Sequence, residues 1–280
     1  MIVERRPQKK VVWPGEARVA LLMTVDFEAE EDLHSFHNGK INYQDFSARQ
    51  YGGRRGIWRL LEVFGKHQVK GTFFICGAVV ENYPEASRAV LEQGHDIGAH
   101  TYAHEYLWRL NEEEERKVYP KAFSAFESVL GLRPPGWRSC FISDRSIGLT
   151  LENGFKWDSS LWNDDLPYIL EGEGKRMVEI PFTINNDVSF LGEPSATAYS
   201  SGKNGVVRDM DLAWRAEFDA CYEKGASAPT MQTICLHCYL TGRPGPSKAL
   251  DDFLAYTKSF PDVWYASYSD VANWWLEQGY

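Results

Sequence analysis

Four separated segments of this chain carry residues that could together build a hydrolytic metal site. They are TVDFEAE at 24–30, HTYAH at 100–104, GWRS at 136–139 and LHCYLTGRP at 236–244. Two imidazoles four residues apart, together with a carboxylate from elsewhere in the chain, can hold a divalent metal ion and leave one coordination position open. Because a water molecule at an open position becomes a nucleophile near neutral pH, the segments predict a hydrolase.

The second segment supplies the two imidazoles. His100 and His104 are at i and i+4, a spacing that places both rings on one face of a helical turn. Two histidines at this spacing also occur by chance, as unconnected core or surface residues. Here they directly follow a strand-like run, and α/β folds build their active sites at the ends of strands. We therefore interpret them as metal ligands.

The first segment supplies two carboxylates. Asp26 and Glu28 come at the end of an apolar run and, by alternation, lie on the same side of a strand. A metal ion or a proton transfer would explain acids in such a poorly hydrated place. One could bind the metal while the other takes a proton from water. Alternatively both are solvated loop acids, like Glu30, Glu31 and Asp32.

Two further side chains could complete the chemistry. His237 stands in an apolar strand, where a histidine is more often a hydrogen-bonded core residue, but beside a metal site it could protonate a departing amine. Arg138 follows a predicted turn and could hold a catalytic carboxylate ionised through a charge-assisted pair. An ordinary surface ion pair is the alternative for Arg138.

The elements that must position these residues alternate between strands and helices. Strands are predicted at 18–27, 69–77 and 95–100, helices at 56–68, 84–94 and 112–131, and later strands at GWRSC, FKWDSSL, MVEIPFTI, TICLHCY and VWYASY. Asn111 is the predicted N-cap of the third helix. Repeated strand–helix units predict an α/β fold, either a parallel barrel or a doubly wound sheet.

No internal repeat or low-complexity linker divides the chain, so residues 1–280 are expected to form a single domain. The least regular stretch is 191–208, which we interpret as a long surface loop of the kind that often serves as a lid.

The composition narrows the classes of partner and the compartment. A formal net charge of -9 argues against nucleic acid or an anionic membrane as a partner. The N-terminal stretch has no apolar signal region, so we expect a cytoplasmic protein. The five cysteines are expected to be free thiols. Cys235 and Cys238 form a CxxC, but it lies in a strand-like segment and has no second pair to complete a four-cysteine zinc site.

The order and spacing of the four segments make the chain similar to the polysaccharide deacetylase family, also called the NodB-homology or carbohydrate esterase family, over about 19–275. The resemblance implies a distorted (β/α) barrel with a divalent metal ion, commonly zinc, held by one acid and two histidines. It also implies roles for matching positions: base Asp26; metal ligands Glu28, His100 and His104; base-orienting Arg138; amine-protonating His237.

The chain departs from the family pattern at two places. The family's adjacent pair of aspartates is DFE here, which leaves open whether Asp26 or Glu28 binds the metal. The two prolines that usually follow the arginine motif are Ser139 and Cys140, which changes the floor of the groove.

Longer segments narrow the resemblance to one subgroup. They are YGGRRGIWRLL (51–61), WNDDLPYIL (162–170), EIPFTINNDVSF (179–190) and LHCYLTGRPG (236–245). The subgroup holds allantoinases, cyclic imide hydrolases and unusual peptidoglycan deacetylases, which assemble as dimers or tetramers. Its allantoinases work without metal and lack the complete histidine pair, whereas this chain keeps both histidines and is expected to need a metal.

The resemblance implies ring opening of a small cyclic amide, an imide or a ureide, as the reaction. N-deacetylation of an N-acetylated sugar or polysaccharide is the alternative. An inactive carbohydrate-binding member of the fold is a third, for which the ten tryptophans would suit sugar stacking. Candidates for shaping the substrate pocket, which could equally be loop caps, are Asp164, Asp165, Tyr168, Asn186 and Asp187.

Overall fold

The alternation of strands and helices folds into one mixed sheet with helices packed against it. The computed structural model describes residues 2–33, 42–183, 185–192 and 207–280. The ten strands of the sheet are β1 (Val3–Arg5), β2 (Val19–Phe27), β3 (Thr72–Ile75), β4 (Asp96–Ala99), β5 (Gly136–Trp137), β6 (Trp157–Asp158), β7 (Tyr168–Gly172), β8 (Lys175–Glu179), β9 (Thr230–His237) and β10 (Val263–Tyr265). The described α-helices are α1 (Tyr43–Tyr51), α2 (Ile57–His67), α3 (Gly77–Asn82), α4 (Pro84–Glu92), α5 (Glu112–Leu130), α6 (Ser146–Glu152), α7 (Asp187–Leu191), α8 (Val207–Gly225), α9 (Pro244–Thr257) and α10 (Tyr268–Gln278).

The central strands run parallel in the order β9, β2, β3, β4, β5, β6, β8. Strands β7 and β1 continue the sheet in antiparallel pairing. Strand β10 pairs with the start of β2 at Val19, while β3 pairs with its end from Thr24 onward, so two strands share one edge of β2. This shared edge distorts the sheet from a regular barrel, and the predicted α/β class is confirmed.

Strand β2 separates two layers of apolar side chains, and its register decides which residues face the site. All nine of its residues are buried, as expected for a parallel strand covered on both faces. The side chains that pack towards the outer helices are Val19, Leu21, Met23, Val25 and Phe27. Ala20 and Leu22 pack in a second cluster with Trp157. Because alternate residues share a face, Thr24 and Asp26 continue this second, inner face.

The helix starts follow local rules that the sequence shows. Helix α5 begins at the predicted cap: the Asn111 side chain accepts from the Glu114 N–H at 3.0 Å, and the Glu114 carboxylate accepts from the Asn111 N–H at 2.9 Å. Ser267 and Asp270 form the same reciprocal cap on α10. Within the described part of the chain, no helix combines the length and apolar character needed to cross a membrane.

Some boundaries differ from the predictions. The strand predicted at 136–140 ends at Trp137, because the Ser139 N–H donates to the Ser160 hydroxyl at 3.0 Å instead of to a neighbouring strand. Strands β1 and β7 were not predicted, and of the described helices only α2, α4 and α5 were. Residues 193–206 of the predicted loop lie outside the described residues, while 207–208 begin α8. All five cysteines are free, as expected, and Cys235 lies in β9.

The glycines of the YGGRRG segment allow a close contact beneath the end of β9. Residues Gly52–Gly56 form a π-helical turn between α1 and α2. A Cβ on Gly56 would lie 1.9 Å from the Cys238 carbonyl oxygen, and one on Gly53 would lie 2.4 Å from the Tyr83 ring. The glycines therefore let this turn pack directly against the backbone that follows His237.

Gly56→Ala is expected to lower the free energy of unfolding by about 1–3 kcal/mol, the usual effect of overpacking a close contact. The matched variant is Gly65→Ala in α2, where an added Cβ meets nothing within 4 Å. That variant is expected to raise the free energy of unfolding by about 0.5–1 kcal/mol, since alanine favours a helix over glycine. Urea denaturation of both variants measures the difference, and equal stabilities would contradict the contact.

Candidate active site at the carboxyl ends of the strands

The parallel register gathers the sequence-predicted residues at one edge of the sheet. Asp26 of β2 is the direct partner of His237 in β9. Ala99 of β4 pairs with Trp137 of β5, so the next residues, His100 and Arg138, emerge side by side. Active sites of parallel α/β sheets lie at this carboxyl edge, because the loops that carry reactive groups begin there.

Glu28 lies at the centre of three imidazoles. Its Oε1 is 3.3 Å from His100 Nε2, 3.1 Å from His104 Nε2 and 3.5 Å from His237 Nε2. Burial alone would raise the pKa of Glu28, but the neighbouring imidazoles outweigh it and hold that pKa well below its usual range. The carboxylate is therefore ionised and points at every ring in the cluster.

The donor set fits a divalent metal ion. With metal–ligand bonds of about 2.0–2.2 Å, the donors of a tetrahedral site stand about 3.4 Å apart, close to the separations between Glu28 and the histidine pair. His100 Nδ1 lies 2.8 Å from the Arg138 carbonyl oxygen. A carbonyl can only accept, so Nδ1 carries a hydrogen, which leaves Nε2, the ring nitrogen that faces Glu28, as the atom that would bind a metal. Among the described residues, Glu28, His100 and His104 could hold the metal.

The backbone that presents these ligands differs from the prediction. The 100–104 segment is a turn after β4, not a helical turn, and Thr101 (φ 59°) and His104 (φ 51°) both adopt the left-handed conformation. Ala29, next to Glu28, does so as well, with φ 47°. Left-handed backbone is uncommon for these residue types and clusters at functional sites. The turn nevertheless brings the two rings to 4.9 Å between centroids.

Arg138 is wholly buried and forms a hydrogen-bonded pair with Asp26. Its Nη1 donates to Asp26 Oδ1 at 2.8 Å and to Thr24 Oγ1 at 3.1 Å, and its Nη2 donates to Tyr268 at 3.0 Å and to Ser159 at 3.1 Å. Burial would raise the pKa of Asp26, but the charges of Arg138, His100 and His237 together outweigh it and lower that pKa. The surface ion pair considered for Arg138 is therefore wrong.

His237 is hydrogen-bonded by Asp187, a residue that the sequence suggested only as a candidate for the substrate pocket. The Asp187 carboxylate lies 2.6 Å from His237 Nδ1, accepts from the His237 N–H at 2.7 Å and accepts from the Thr241 hydroxyl at 2.6 Å. Burial would lower the pKa of His237, but Asp187 and Glu28 outweigh it and raise that pKa well above its ordinary value. Asp187 thus lies behind the imidazole, while Asn186 caps helix α7.

The other three substrate-pocket candidates make local contacts. Asp164 Oδ1 accepts from the Asp165 N–H at 2.8 Å, and Asp164 Oδ2 pairs with Arg6 at 2.5 Å. The Tyr168 hydroxyl donates to Asn163 at 2.7 Å. In the described part of the chain, these bonds organise the loop before β7 and do not reach the Glu28 cluster. Loop capping, the alternative for these residues, accounts for Asp164.

Two buried carboxylates beside Arg138 were missed from the sequence. Asp158 and Glu179 are register partners at the ends of β6 and β8, and their side chains lie within hydrogen-bonding reach of each other. Burial raises the pKa of Asp158 to about 6 and that of Glu179 well above its usual value. The Leu161 N–H donates to Glu179 Oε1 at 3.0 Å. The pair is therefore expected to share a proton. An acid at the end of a strand, the pattern that revealed Asp26, could have revealed both of these residues in the sequence.

Because the folded protein keeps the proton that Asp158 and Glu179 share, its free energy of unfolding depends on pH. Between the unfolded pKa of about 4 and the raised folded values, the folded state binds more protons, so its stability is fully present below about pH 4 and falls as pH rises. Glu179→Gln removes one of the two groups and is expected to flatten this fall. The free energy of unfolding of Glu179→Gln is therefore expected to gain on that of wild type as the pH rises from about 4.5 to 7.5.

Denaturation profiles across this pH range, with exposed Glu152→Gln as the control, measure the gain from Glu179→Gln. A constant offset between wild type and Glu179→Gln would show that the pair holds no proton.

Comparisons with known proteins agree with this fold. The polysaccharide deacetylase family model matches residues 45–150. A probable polysaccharide deacetylase from Pseudomonas aeruginosa PAO1 superposes with a TM-score of 0.86 at 30% identity, covering 95% of this chain and 93% of that one. Puue allantoinase gives 0.84 at 30% identity, covering 95% and 92%. The peptidoglycan deacetylase of Helicobacter pylori is 24% identical over 91% of this chain and 95% of its own length.

These likenesses confirm the NodB-type fold and the resemblance expected from the four motifs. The chain belongs to the polysaccharide deacetylase family and is a hydrolase of carbon–nitrogen bonds other than peptide bonds.

Proposed function

We propose that this chain is a metal-dependent hydrolase that opens the ring of a small cyclic amide, an imide or a ureide. The observation that carries the proposal is the burial of the candidate reacting groups. Asp26, Glu28, His100, His104 and His237 are each at most 7% exposed. Side chains buried to this extent favour a small planar ring as the substrate, whereas a polymer needs room for sugars on both sides of the reacting unit. The likeness to Puue allantoinase over 95% of the chain supports the same class of substrate.

Glu28, His100 and His104 would hold the metal, and imidazole donors suit zinc among the common divalent ions. Bound there, it would polarise the amide carbonyl and lower the pKa of a water molecule to about 7. A buried carboxylate facing two imidazoles at 3.1 and 3.3 Å supports Glu28 as the acidic ligand.

Asp26 is the proton acceptor in this proposal. Its Oδ1 is engaged by Arg138 at 2.8 Å, and the charge of that guanidinium keeps the carboxylate ionised, as a base must be. The Cys235 thiol donates to the other oxygen at 3.4 Å, which fixes the plane of the carboxylate. Arg138 therefore acts as a positioning residue through Asp26.

His237 is the proton donor to the departing nitrogen. Asp187 fixes the ring through Nδ1 and stabilises its protonated form, while Nε2 faces the Glu28 cluster. A histidine held in this way delivers its proton to one place, as the acid of an acyl-transfer site must. In a cyclic amide the nitrogen stays attached to the product, so the product is the substrate plus one water molecule.

N-deacetylation of an N-acetylated sugar is the second candidate. The near full-length alignment with the Helicobacter pylori peptidoglycan deacetylase favours it, since that relative is named for this reaction. The same groups would serve, with acetate leaving as a separate product.

Mass-spectrometric analysis of products from succinimide, hydantoin, allantoin and chito-oligosaccharides, with and without chelator, tests the proposal. Ring opening adds one water without loss of a fragment. Release of acetate would favour the deacetylase instead, and activity that survives complete metal removal would overturn the metal-dependent mechanism. No reaction with any of the four would leave an inactive carbohydrate-binding protein as the alternative, for which glycan binding is the readout.

Asp26→Asn is expected to lower kcat by about 10²–10⁴, the usual contribution of a positioned base. The variant keeps the shape of the side chain and leaves Glu28, His100 and His104 in place, so bound metal is expected to remain. Asp252→Asn on the surface of α9 is the control, since Asp252 is exposed and pairs with Lys248. A wild-type kcat in Asp26→Asn would show that Asp26 is not the base.

Residues 1–280 are proposed to form one catalytic domain, which a sheet with strands from both ends of the chain supports. A cytoplasmic location and a dimeric or tetrameric assembly complete the proposal.

A further inference from the structure

Cys140 lies against the two histidines of the candidate metal site, and the proposed reaction does not use it. One ring nitrogen of His100, one of His104 and the Cys140 sulfur all lie within 4.8 Å of one another. The Cys140 thiol is also within hydrogen-bonding reach of the His104 side chain. It is a free thiol and is half-buried, whereas both histidines are buried.

The backbone before Cys140 is fixed at three points. The Arg138 N–H donates to the Ala99 carbonyl at 2.9 Å, and the Arg138 carbonyl accepts from His100 Nδ1 at 2.8 Å. The Ser139 N–H donates to the Ser160 hydroxyl at 3.0 Å. Because the same residue binds both the strand of His100 and its ring, the position of the sulfur is tied to that of the ligand.

We propose that Cys140 binds, as a thiolate, the metal ion held by Glu28, His100 and His104. The inference rests on the metal site of the proposed function and adds a ligand to it. The thiol proton passes to solvent as the metal–sulfur bond forms, since only the thiolate is an effective ligand. The family pattern has proline where this chain has Cys140, so the ligand is a property of this chain.

A sulfur ligand changes which metals the site prefers. Thiolate and imidazole donors select zinc, and its spectroscopic substitute cobalt, over magnesium and manganese, which prefer oxygen. Four protein donors would complete a tetrahedron, whereas catalytic zinc sites keep a position for substrate. Cys140 is half-buried whereas the other three donors are buried, so it is the donor that would give way to a substrate.

Titration of the metal-free full-length protein with Co²⁺, followed by absorption spectroscopy, tests the inference. A thiolate bound to Co²⁺ gives an intense near-ultraviolet charge-transfer band, which imidazole and carboxylate ligands do not. Wild type is expected to show the band, and Cys140→Ser to lose it while still binding Co²⁺. Binding should weaken by about tenfold or more, since even residues that only orient metal ligands contribute 10- to 100-fold.

Two controls identify the sulfur. Cys221→Ser changes a thiol of α8 that contacts the Met231 carbonyl of β9, and Cys235→Ser changes the thiol beside Asp26. Both are expected to keep the band. Loss of the band in Cys235→Ser with retention in Cys140→Ser would assign the sulfur to β9 and overturn the inference.

Two further outcomes separate this inference from the proposed function. Co²⁺ that binds to wild type, and not to His100→Ala, without any charge-transfer band would overturn the role of Cys140 and leave the metal site intact. A wild-type protein that takes up neither Co²⁺ nor Zn²⁺ would overturn both. Circular dichroism of each variant confirms that the fold is retained.

Discussion

The arrangement of the site depends on a buried ion pair between Arg138 and Asp26. Moving two charges out of water costs several kcal/mol per ion, so such a pair persists only when its geometry is good and its other hydrogen-bonding groups are satisfied. Here the two terminal nitrogens of the guanidinium donate to Asp26, Thr24, Tyr268 and Ser159 at 2.8–3.1 Å, while Nε has no hydrogen-bond partner among the described residues. The Phe74 ring covers it at 3.7 Å from Cζ. Arg138, which directly follows β5, thus links this strand to β2, β6 and α10.

A second charge balance stands beside the first. Glu28 is buried against three imidazoles, and Asp187 is buried against the last of them, His237. Each carboxylate stabilises positive charge on the imidazole rings. A protonated ring therefore supplies part of the positive charge that a metal ion would supply. A metal at Glu28, His100 and His104 would displace protons from those two rings and leave the proton of His237, which Asp187 holds from the other side. In the proposed mechanism the two acids would thus divide the histidines into a pair of metal ligands and a proton donor.

The strand ends and the spacing of the histidines made much of this site predictable. An acid that ends an apolar run, or a histidine pair after a strand, is local, so Asp26, Glu28, His100 and His104 could be found in the sequence. The relation of Asp187 to His237 could not, because they are 50 residues apart and meet only through the packing of α7 on β9. The predicted strands lie where the structure has strands. The observed strands are shorter at their ends, because buried side chains such as Ser160 take backbone donors away from the ladders. Helix α8 was missed because it follows an irregular segment and only its inner side is apolar.

Acids at the ends of strands differ in their protonation here according to which of them the Arg138 guanidinium contacts. Asp26, Asp158 and Glu179 all end strands and are all buried, and for all three burial is the largest influence on the pKa, in the upward direction. Arg138 contacts Asp26 directly, and the pKa of that acid is lowered, while those of the other two are raised. Two carboxylates that face each other without a bound cation must keep a proton, because repulsion at short range disfavours double ionisation. The direct contact with Arg138, together with the charges of His100 and His237, therefore keeps Asp26 ionised, while Asp158 and Glu179 share a proton as a structural pair. Sequence patterns show where the acids lie, whereas only the packing around Arg138 shows which of them is charged.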